Sequence, residues 1–515
     1  MSGDQAGKRP VRLRIALPYA VAFSTLSGIL AAAAHPPHHL WPLAFFSWTP
    51  LLVALAGRRI REAALLGLIH GFFTHAIALY WLPSVVKTFG GIRPLGCIFV
   101  AGVFCVYGGL GVALAAMLTV RARRMGWPLW CCFALSVAAV EAFYPLVFPA
   151  FTASQVHSAP LLMQLADVGG PVLVGVPLTL VNVAIAEWIV ARCERRSVTR
   201  APIAIGLSAL LATLAYGAFR IRQVDASLVA APAIRIGIVQ ANTPHKKMGL
   251  RTAIRTYREA TAAFVEPLDL VVWPETALSA VIQRSVLAET INQQILNVPG
   301  LPPPPAFPIL SGVMLGKERL LSNSAVLFMP SGEVRGVYDK VHPLVFGEYV
   351  PFADRFPKLN ELIPNAGRLT AGSTDQPALE LNGHRITTLI CYEDAMSLFT
   401  NDAVRATNGE LIIDLTNDSW FGSSTAAAMH LGLAKFRSIE HRRYLVHAAT
   451  SGVSAFVDPA GRVRQQAGLG QAANISDEVH WLETETVYDR IGDRFRWCVA
   501  AMAMLMILKR RRTVA

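Results

Sequence analysis

The sequence predicts two unlike parts in one chain: a multi-span α-helical membrane domain, and an α/β domain held on its extracytoplasmic side. Three observations carry that prediction. Hydrophobic residues make up 53% of the 515 and charged residues only 16%, against roughly 45–50% and about 25% in soluble proteins. The apolar residues gather in long runs between 15 and 220, whereas 230–490 alternates short apolar runs with charge. Within the apolar half, arginine and lysine fill every second loop and are nearly missing from the others.

A helix that crosses roughly 30 Å of hydrocarbon needs about 20 mostly apolar residues. Candidate spans lie near 15–34, 40–57, 63–82, 95–120, 128–148, 168–190 and 203–219. A shorter one near 495–508 would use Arg494, Arg496 and Trp497 at the interface. With the N-terminus inside, the inner loops carry Lys8, Arg9, Arg12 and Arg14, then Arg58, Arg59 and Arg61. Arg121, Arg123 and Arg124 follow, then Arg192, Arg195, Arg196 and Arg200, and lastly the tail Lys509 to Arg512. The outer loops carry only Lys87 and Arg93. Basic loops stay cytoplasmic, so both termini are predicted inside and the α/β domain outside. An uncleaved anchor is preferred to a signal peptide ending near Ala31–Ala34, because further spans follow. The expected divisions are 1–222 for the membrane domain, 230–488 for the α/β domain, and 493–515 for a last helix and basic tail. Glu141, Glu187, His70 and His75 lie inside spans, where ionisable groups are often functional. The plainer reading is hydrogen bonding inside the bundle or a place at the lipid interface.

The net charge of +13 sits in short clusters beside apolar spans. No basic segment with interleaved aromatics is present, which argues against nucleic acid as a partner. Six of the seven cysteines lie in or beside apolar spans, and only Cys391 falls in the α/β half. No Cys/His spacing points to zinc, and no metal or cofactor is expected.

From about 234 the chain reads as short strands that end in polar residues. These are Ile234–Gln240, Leu268–Trp273, His384–Ile390 and Glu410–Leu415, with helices near 249–264 and 426–442 between them. Such alternation predicts a layered α/β domain. Three strand ends carry chemistry: Glu275 after Val-Val-Trp-Pro, Lys340 in Tyr-Asp-Lys-Val, and Cys391 after Thr-Thr-Leu-Ile. A thiol needs a base before it attacks, and a carboxylate can serve. An oxyanion formed on attack needs fixed donors, which a Lys ammonium and the Tyr392 backbone N–H would supply. His342, His384, His430, His441 and His447 are scattered in sequence, so a Cys–His protease ranks low.

Glu, Lys and Cys in this order resemble the nitrilase (carbon–nitrogen hydrolase) superfamily. The surrounding words resemble one of its families, the apolipoprotein N-acyltransferases: Trp273-Pro-Glu-Thr-Ala277, Phe346-Gly-Glu-Tyr-Val-Pro-Phe352, Ile390-Cys-Tyr-Glu393 and Leu415-Thr-Asn-Asp-Ser-Trp-Phe-Gly422. The apolar half agrees through Tyr80-Trp81, Phe89-Gly-Gly91 and Glu141, and the end through Thr486 to Asp493. The resemblance implies an αββα nitrilase-like sandwich outside a bacterial inner membrane. It implies ping-pong acyl transfer from the sn-1 ester of a phospholipid, with phosphatidylethanolamine the expected donor. The acceptor would be the α-amine of a lipoprotein's diacylglyceryl-cysteine. Glu275 would take the Cys391 proton, and Lys340 with the Tyr392 backbone would hold the oxyanion. Glu348 would orient Lys340 or the acyl intermediate, while Tyr392, Glu393, Asn417 and Trp420 would line the site. A monomer is expected, since the two parts are self-contained.

The chain departs from the family at Lys246-Lys247-Met248, at Val147-Phe-Pro-Ala150 and at Pro343-Leu-Val-Phe-Gly-Glu348. A divergent acyltransferase with another amine acceptor therefore stays open, as does a membrane-tethered amidase of nitrilase type. A scaffold without chemistry would not need Glu275, Lys340 and Cys391 together. A transporter would show internal repeats. The Pro-rich stretch 299–308 reads either as a mobile arm over the site or as a plain loop.

Overall fold

The computed structural model describes residues 13–243, 249–301, 303–317, 320–353, 355–362, 367–492 and 494–508. The N-terminal Lys8–Arg12 cluster, the Lys246-Lys247-Met248 departure and the Lys509–Arg512 tail lie outside the described residues.

The first half is helical: α1 Leu17–Ala34, α2 Thr49–Ala54, α3 Ile60–Ala78, α4 Leu82–Gly90, α5 Pro94–Arg124, α6 Leu129–Phe143, α7 Pro160–Met163, α8 Ala166–Cys193 and α9 Arg200–Ala230. Of these, α1, α5, α8 and α9 are long and apolar enough to cross a membrane, and α3 with α4, bent by 69°, would make a fifth. Two other expected spans correspond to shorter apolar helices among the described residues, Trp41–Ala54 and Leu129–Phe143. The expected span at 40–57 is broken into a 3-10 turn, Trp41–Phe45, and the six residues of α2, each opened by a proline, Pro42 and Pro50. Proline starts a helix readily and cannot continue one. The expected span at 128–148 stops at Phe143, ahead of Pro145 and Pro149. In the other direction, α9 runs past 219 to Ala230. Outward faces of the long helices are apolar, with Leu95, Phe99, Val103 and Leu110 on α5 and Leu207, Leu211 and Phe219 on α9 all exposed. Such a face suits a hydrocarbon solvent.

The two ends of the bundle differ. At one, the basic segments meet: Arg14 pairs with Glu62 at 2.8 Å, Arg58 donates to the Ile15 carbonyl, and Leu13 N–H donates to Glu194. Glu187 lies there too, 3.1 Å from Arg196 and 4.0 Å from Arg123. The α/β domain docks on the opposite end. Lys435 Nζ donates to His157 O at 2.7 Å, Gln164 Nε2 to Ala460 O at 2.8 Å, and Arg442 pairs with buried Asp167 at 2.7 Å.

The α/β half contains β1 Ala233–Gln240, α10 Leu250–Ala262, β2 Leu270–Ile282, α11 Leu287–Thr290, β3 Ile309–Lys317, β4 Leu320–Phe328, β5 Val334–Asp339, α12 Leu359–Leu362, β6 Leu379–Leu381 and β7 His384–Ile390. It continues with α13 Ser397–Thr407, β8 Leu411–Thr416, α14 Ala426–His441, β9 Leu445–Ala449, β10 Ala455–Val457, β11 Val463–Gln466, β12 Ala473–His480, α15 Val487–Ile491 and α16 Arg494–Leu508. Two six-stranded sheets form, ordered β12-β1-β2-β3-β4-β5 and β11-β10-β9-β8-β7-β6. Alternate residues Ile234, Ile236 and Ile238 of β1 meet Ile386, Ile413 and Val446 of the second sheet in one core between the sheets. The opposite face of the first sheet packs Val271, Trp273 and Val313 against Ile254 and Tyr257 of α10. The second sheet packs Leu389 and Leu445 against Val404 of α13 and Leu431 of α14. Period-two strands between helices give the αββα sandwich that the sequence predicts. Leu301 and Phe307, at the borders of the Pro-rich stretch, pack on the α10 side of the first sheet. The described residues of that stretch form no helix or strand, and Pro302 lies outside them.

Candidate active site

Sequence places Glu275 at a strand end; the structure keeps it within β2, which runs on to Ile282. There the pairing of β2 with β3 shifts register between Trp273 and Leu278. Thr276 takes a left-handed φ of 53° in that irregularity. Only glycine fits opposite: a Cβ on Gly312 of β3 would lie 2.4 Å from Pro274 O and 2.6 Å from Glu275 Cα. Lys340 follows β5, and Cys391 follows β7. Cys391 opens a 3-10 turn, Cys391–Ala395, with φ of 57°, a conformation that costs a non-glycine residue. The first sheet thus supplies the carboxylate and the ammonium, and the second supplies the sulfur.

Glu275 and Lys340 are buried, at 3% and 1% exposure. Lys340 Nζ donates to Glu275 Oε1 at 3.1 Å and lies 3.0 and 2.8 Å from the two carboxylate oxygens of Glu348. Asn323 Nδ2 donates to Glu275 Oε1 at 2.6 Å and reaches Glu348 Oε1 at 3.3 Å. Glu348 Oε2 in turn accepts from Leu344 N–H at 2.6 Å. Glu275 Oε2 is buried with no hydrogen-bond partner among the described residues, so one lone-pair set remains open for an incoming proton.

The electrostatics follow from that packing. Burial pushes the Glu275 carboxyl above the ordinary carboxylate range, against the pull of Lys340. Burial opposes the Lys340 charge, but Glu275 and Glu348 outweigh it and hold its pKa well above the usual value. Burial, and then the Glu275 charge, push the Cys391 thiol up, with Lys340 and His430 pulling the other way. Cys391 therefore rests as a thiol, beside a carboxylate whose affinity for a proton has been raised.

Residues 27–184 match the family model of the apolipoprotein N-acyltransferase N-terminal domain, and residues 235–478 match that of the carbon–nitrogen hydrolases. The chain is 32% identical to the apolipoprotein N-acyltransferase of Geobacter metallireducens over 504 residues, 95% of each chain. It is 30% identical to that of Azotobacter vinelandii over 509 residues, 94% of each. This chain belongs to the apolipoprotein N-acyltransferase family.

The residues expected to line the acyltransferase site fall into two groups. Trp420 stands on the helical side, its ring stacked on Phe89 at 4.7 Å. Tyr392 also reaches across, its hydroxyl donating to Val147 O at 2.5 Å. Glu393 and Asn417 serve instead as braces. Glu393 accepts from Ile390 N–H at 2.8 Å, Val341 N–H at 2.6 Å, His342 N–H at 3.0 Å and the Tyr338 hydroxyl at 2.9 Å. It ties the nucleophile turn to the segment after Lys340. Asn417 Nδ2 donates to Thr276 Oγ1 at 2.8 Å, next to Glu275. A cavity of about 500 Å³ with mostly apolar walls lies between the helices and the turn, lined by Trp48, Glu141, Tyr144, Tyr392 and Met396. Glu141 Oε1 accepts from Thr152 N–H and Oγ1 at 2.7 and 2.6 Å, and His70 stacks on Trp48 at 4.4 Å. His75 Nδ1 bonds Gly71 O at 2.8 Å.

Sequence reasoning missed Asn323, which no motif marks. It also read the histidines as scattered, and the fold corrects that for two of them. His430 and His447 meet around Asp394, with ring centroids 5.2 Å apart. Ligand atoms of Asp418, His430 and His447 lie within 4.8 Å of one another, close enough for a metal ion. Both ring nitrogens of His430 are already engaged by carboxylates, which does not fit a metal ligand.

Proposed function

We propose that this chain transfers an acyl chain from the sn-1 ester of a phospholipid, phosphatidylethanolamine by preference, to the α-amine of a lipoprotein's diacylglyceryl-cysteine. Glu275, Lys340 and Cys391 would do the chemistry through a thioester. The open Oε2 of Glu275, beside an Oε1 fixed by Lys340 and Asn323, is the observation that carries this reading. The Cys391 proton moves to Glu275 as sulfur attacks the ester carbon. Lys340 and the Tyr392 backbone N–H receive the oxyanion. The carbon–oxygen bond then breaks, Glu275 returns the proton to the departing alkoxide, and a lysophospholipid leaves. In the second half-reaction the neutral amine attacks the thioester. Its excess proton passes by way of Glu275 to the leaving sulfur, giving an amide and restoring the thiol. Glu348 keeps Lys340 aimed throughout. No cofactor takes part.

We further propose that the protein works as a monomer in the inner membrane, with the catalytic domain periplasmic and both ends cytoplasmic. The gathering of Arg14, Arg58, Arg123 and Arg196 at the bundle end away from the α/β domain supports that orientation. Holding the site at the bilayer surface lets both lipid-anchored substrates arrive by lateral diffusion. The apolar-walled cavity beneath the Cys391 turn suits an acyl chain.

Intact-protein mass spectrometry of detergent-purified protein mixed with phosphatidylethanolamine tests the reading. Wild type should gain the mass of one acyl chain, Cys391→Ala should gain none, and a diacylated lipopeptide should discharge the adduct. Wild type that neither gains mass nor releases lysophospholipid would refute this donor and the thioester with it.

A further inference from the structure

Near the nucleophile, apart from Glu275, Lys340 and Glu348, five ionisable side chains cluster: Asp394, Asp414, Asp418 and His447 are buried, and His430 is half-buried among them. His430 of α14 lies between two carboxylates. Its Nε2 is 2.8 Å from Asp394 Oδ1, and its Nδ1 is 3.0 Å from Asp418 Oδ1. A neutral imidazole has one donor and one acceptor nitrogen, and an acceptor facing a carboxylate would be repelled. Only the imidazolium donates to both, so His430 is a fixed, largely enclosed cation. His447 of β9 joins through Nδ1, 3.1 Å from Asp394 Oδ2 and 3.2 Å from Asp414 Oδ2.

Burial opposes the His430 cation, but Asp394 and Asp418 outweigh it and hold its pKa well above the usual value. Burial likewise opposes His447, while the hydrogen bonds it donates to Asp394 and Asp414 bring it to about 9. Burial and the Asp394 charge push Asp414 up, which makes it the member that keeps a proton.

Its anchors are the catalytic segments. Asp394 lies on the same 3-10 turn as Cys391. Asp418 follows Asn417, which holds Thr276 beside Glu275. Asp414 and His447 come from the neighbouring strands β8 and β9.

We infer that His430 is a positioning residue for acyl transfer: clamped by Asp394 and Asp418, it locks the Cys391 turn in its left-handed conformation and holds a second cation, besides Lys340, within electrostatic reach of the sulfur. The inference rests on the nucleophilic role proposed for Cys391. Glu275, Lys340, His430 and Asp418 are the charged groups acting on that sulfur. Those facing His430 are Asp394 and Asp418 directly, and Asp414 through His447. Sulfur carries negative charge twice per cycle, once as it attacks and once as it leaves. A cation held rigidly near it favours both steps without competing for substrate.

Site-resolved alkylation of Cys391 by iodoacetamide tests this on the full-length, detergent-solubilised protein. Peptide mass spectrometry would follow the alkylation rate from about pH 5 well into alkali, because burial holds the Cys391 thiol above the ordinary cysteine range. His430→Gln should move the reactivity midpoint up by about one pH unit and slow alkylation at neutral pH about tenfold. Asp394→Asn leaves the imidazolium one counter-charge, so it should discharge within the range and add a second step to the profile. A purely structural role would lower the thermal transition of both variants and leave the wild-type midpoint in place. A folded His430→Gln with that midpoint overturns the inference. Should His430→Gln not fold, a single-step Asp394→Asn profile at the wild-type midpoint overturns it instead. An unreactive wild-type Cys391 would bring down the nucleophile reading as well, which tells the two failures apart.

Discussion

Asn323 gives the sharpest test of how the site sets its base. Its Nδ2 donates at 2.6 Å to the Glu275 oxygen that also faces Lys340, and reaches Glu348 at 3.3 Å. Asn323→Leu keeps the approximate volume and removes the donor. A hydrogen bond to a charged group is worth about 1.5–3 kcal/mol, and 1.36 kcal/mol is about one pH unit. The bond favours the ionised carboxyl, so its loss raises the Glu275 pKa further, by roughly one to two units. The sign is fixed by the role: a base works only when deprotonated, so activity is lost as pH falls through the folded pKa. The acid limb of the acylation rate should move up by that amount. At a neutral pH on that limb, lysophospholipid release should slow by about 10–100-fold, with recovery toward the wild-type plateau in alkali. The assay is the initial rate of lysophospholipid formation against pH, alongside the thermal transition. A limb that stays in place, with a neutral rate within about threefold of wild type, would refute the view that Asn323 tunes Glu275.

Two further outcomes follow from other contacts. Glu348→Gln removes a like charge that raises the Glu275 pKa, so the acid limb should shift down while the plateau drops about tenfold or more as Lys340 loses its anchor; the same pH–rate profile reads both. Asp167→Asn breaks the buried pair of Asp167 with Arg442 and its second pair, with Arg220 at 2.6 Å, and should cost about 3–5 kcal/mol; the thermal transition in detergent should fall by several degrees while the rate per folded molecule stays unchanged.

What could be read from sequence depended on whether the signal was local. The strands were legible because Ile234, Ile236 and Ile238 alternate inward, and the three reactive residues because each sits beside such a run. The helical half was less legible. A hydropathy window counts apolar residues and overlooks Pro42 and Pro50, which break the chain where a span of 40–57 was expected. Glu275 was read as a strand end because Pro274 precedes it, yet β2 absorbs the proline in a register shift that glycine at 312 makes room for. Asn323 and the His430–Asp394 pair left no trace at all. Their partners lie 48 and 36 residues away in the chain, and only the stacking of strands and turns brings them into contact.

The same nonlocal contacts suit the proposed reaction, in which a single cysteine would serve two bulky lipid substrates in turn. A residue at φ 57° is strained and would relax if its turn were loose. The Cys391 turn is held from four directions. Glu393 ties it to the Lys340 segment, Asp394 ties it through His430 to α14, β7 ties it to the second sheet, and the Tyr392 hydroxyl ties it to the helical half at Val147. The base is fixed just as firmly, by Lys340, Asn323 and the tight approach of Gly312. Exposed apolar side chains stand in the stretch around and after Glu348, where Phe346, Phe352 and Phe356 lie open. Rigidity thus sits with the atoms that exchange protons and charge, and exposed apolar surface lies along the chain next to Glu348. The proposed transfer, in which a phospholipid and then a lipoprotein would meet one sulfur, calls for that division, since the reacting geometry would be common to both half-reactions and the lipid bodies would not.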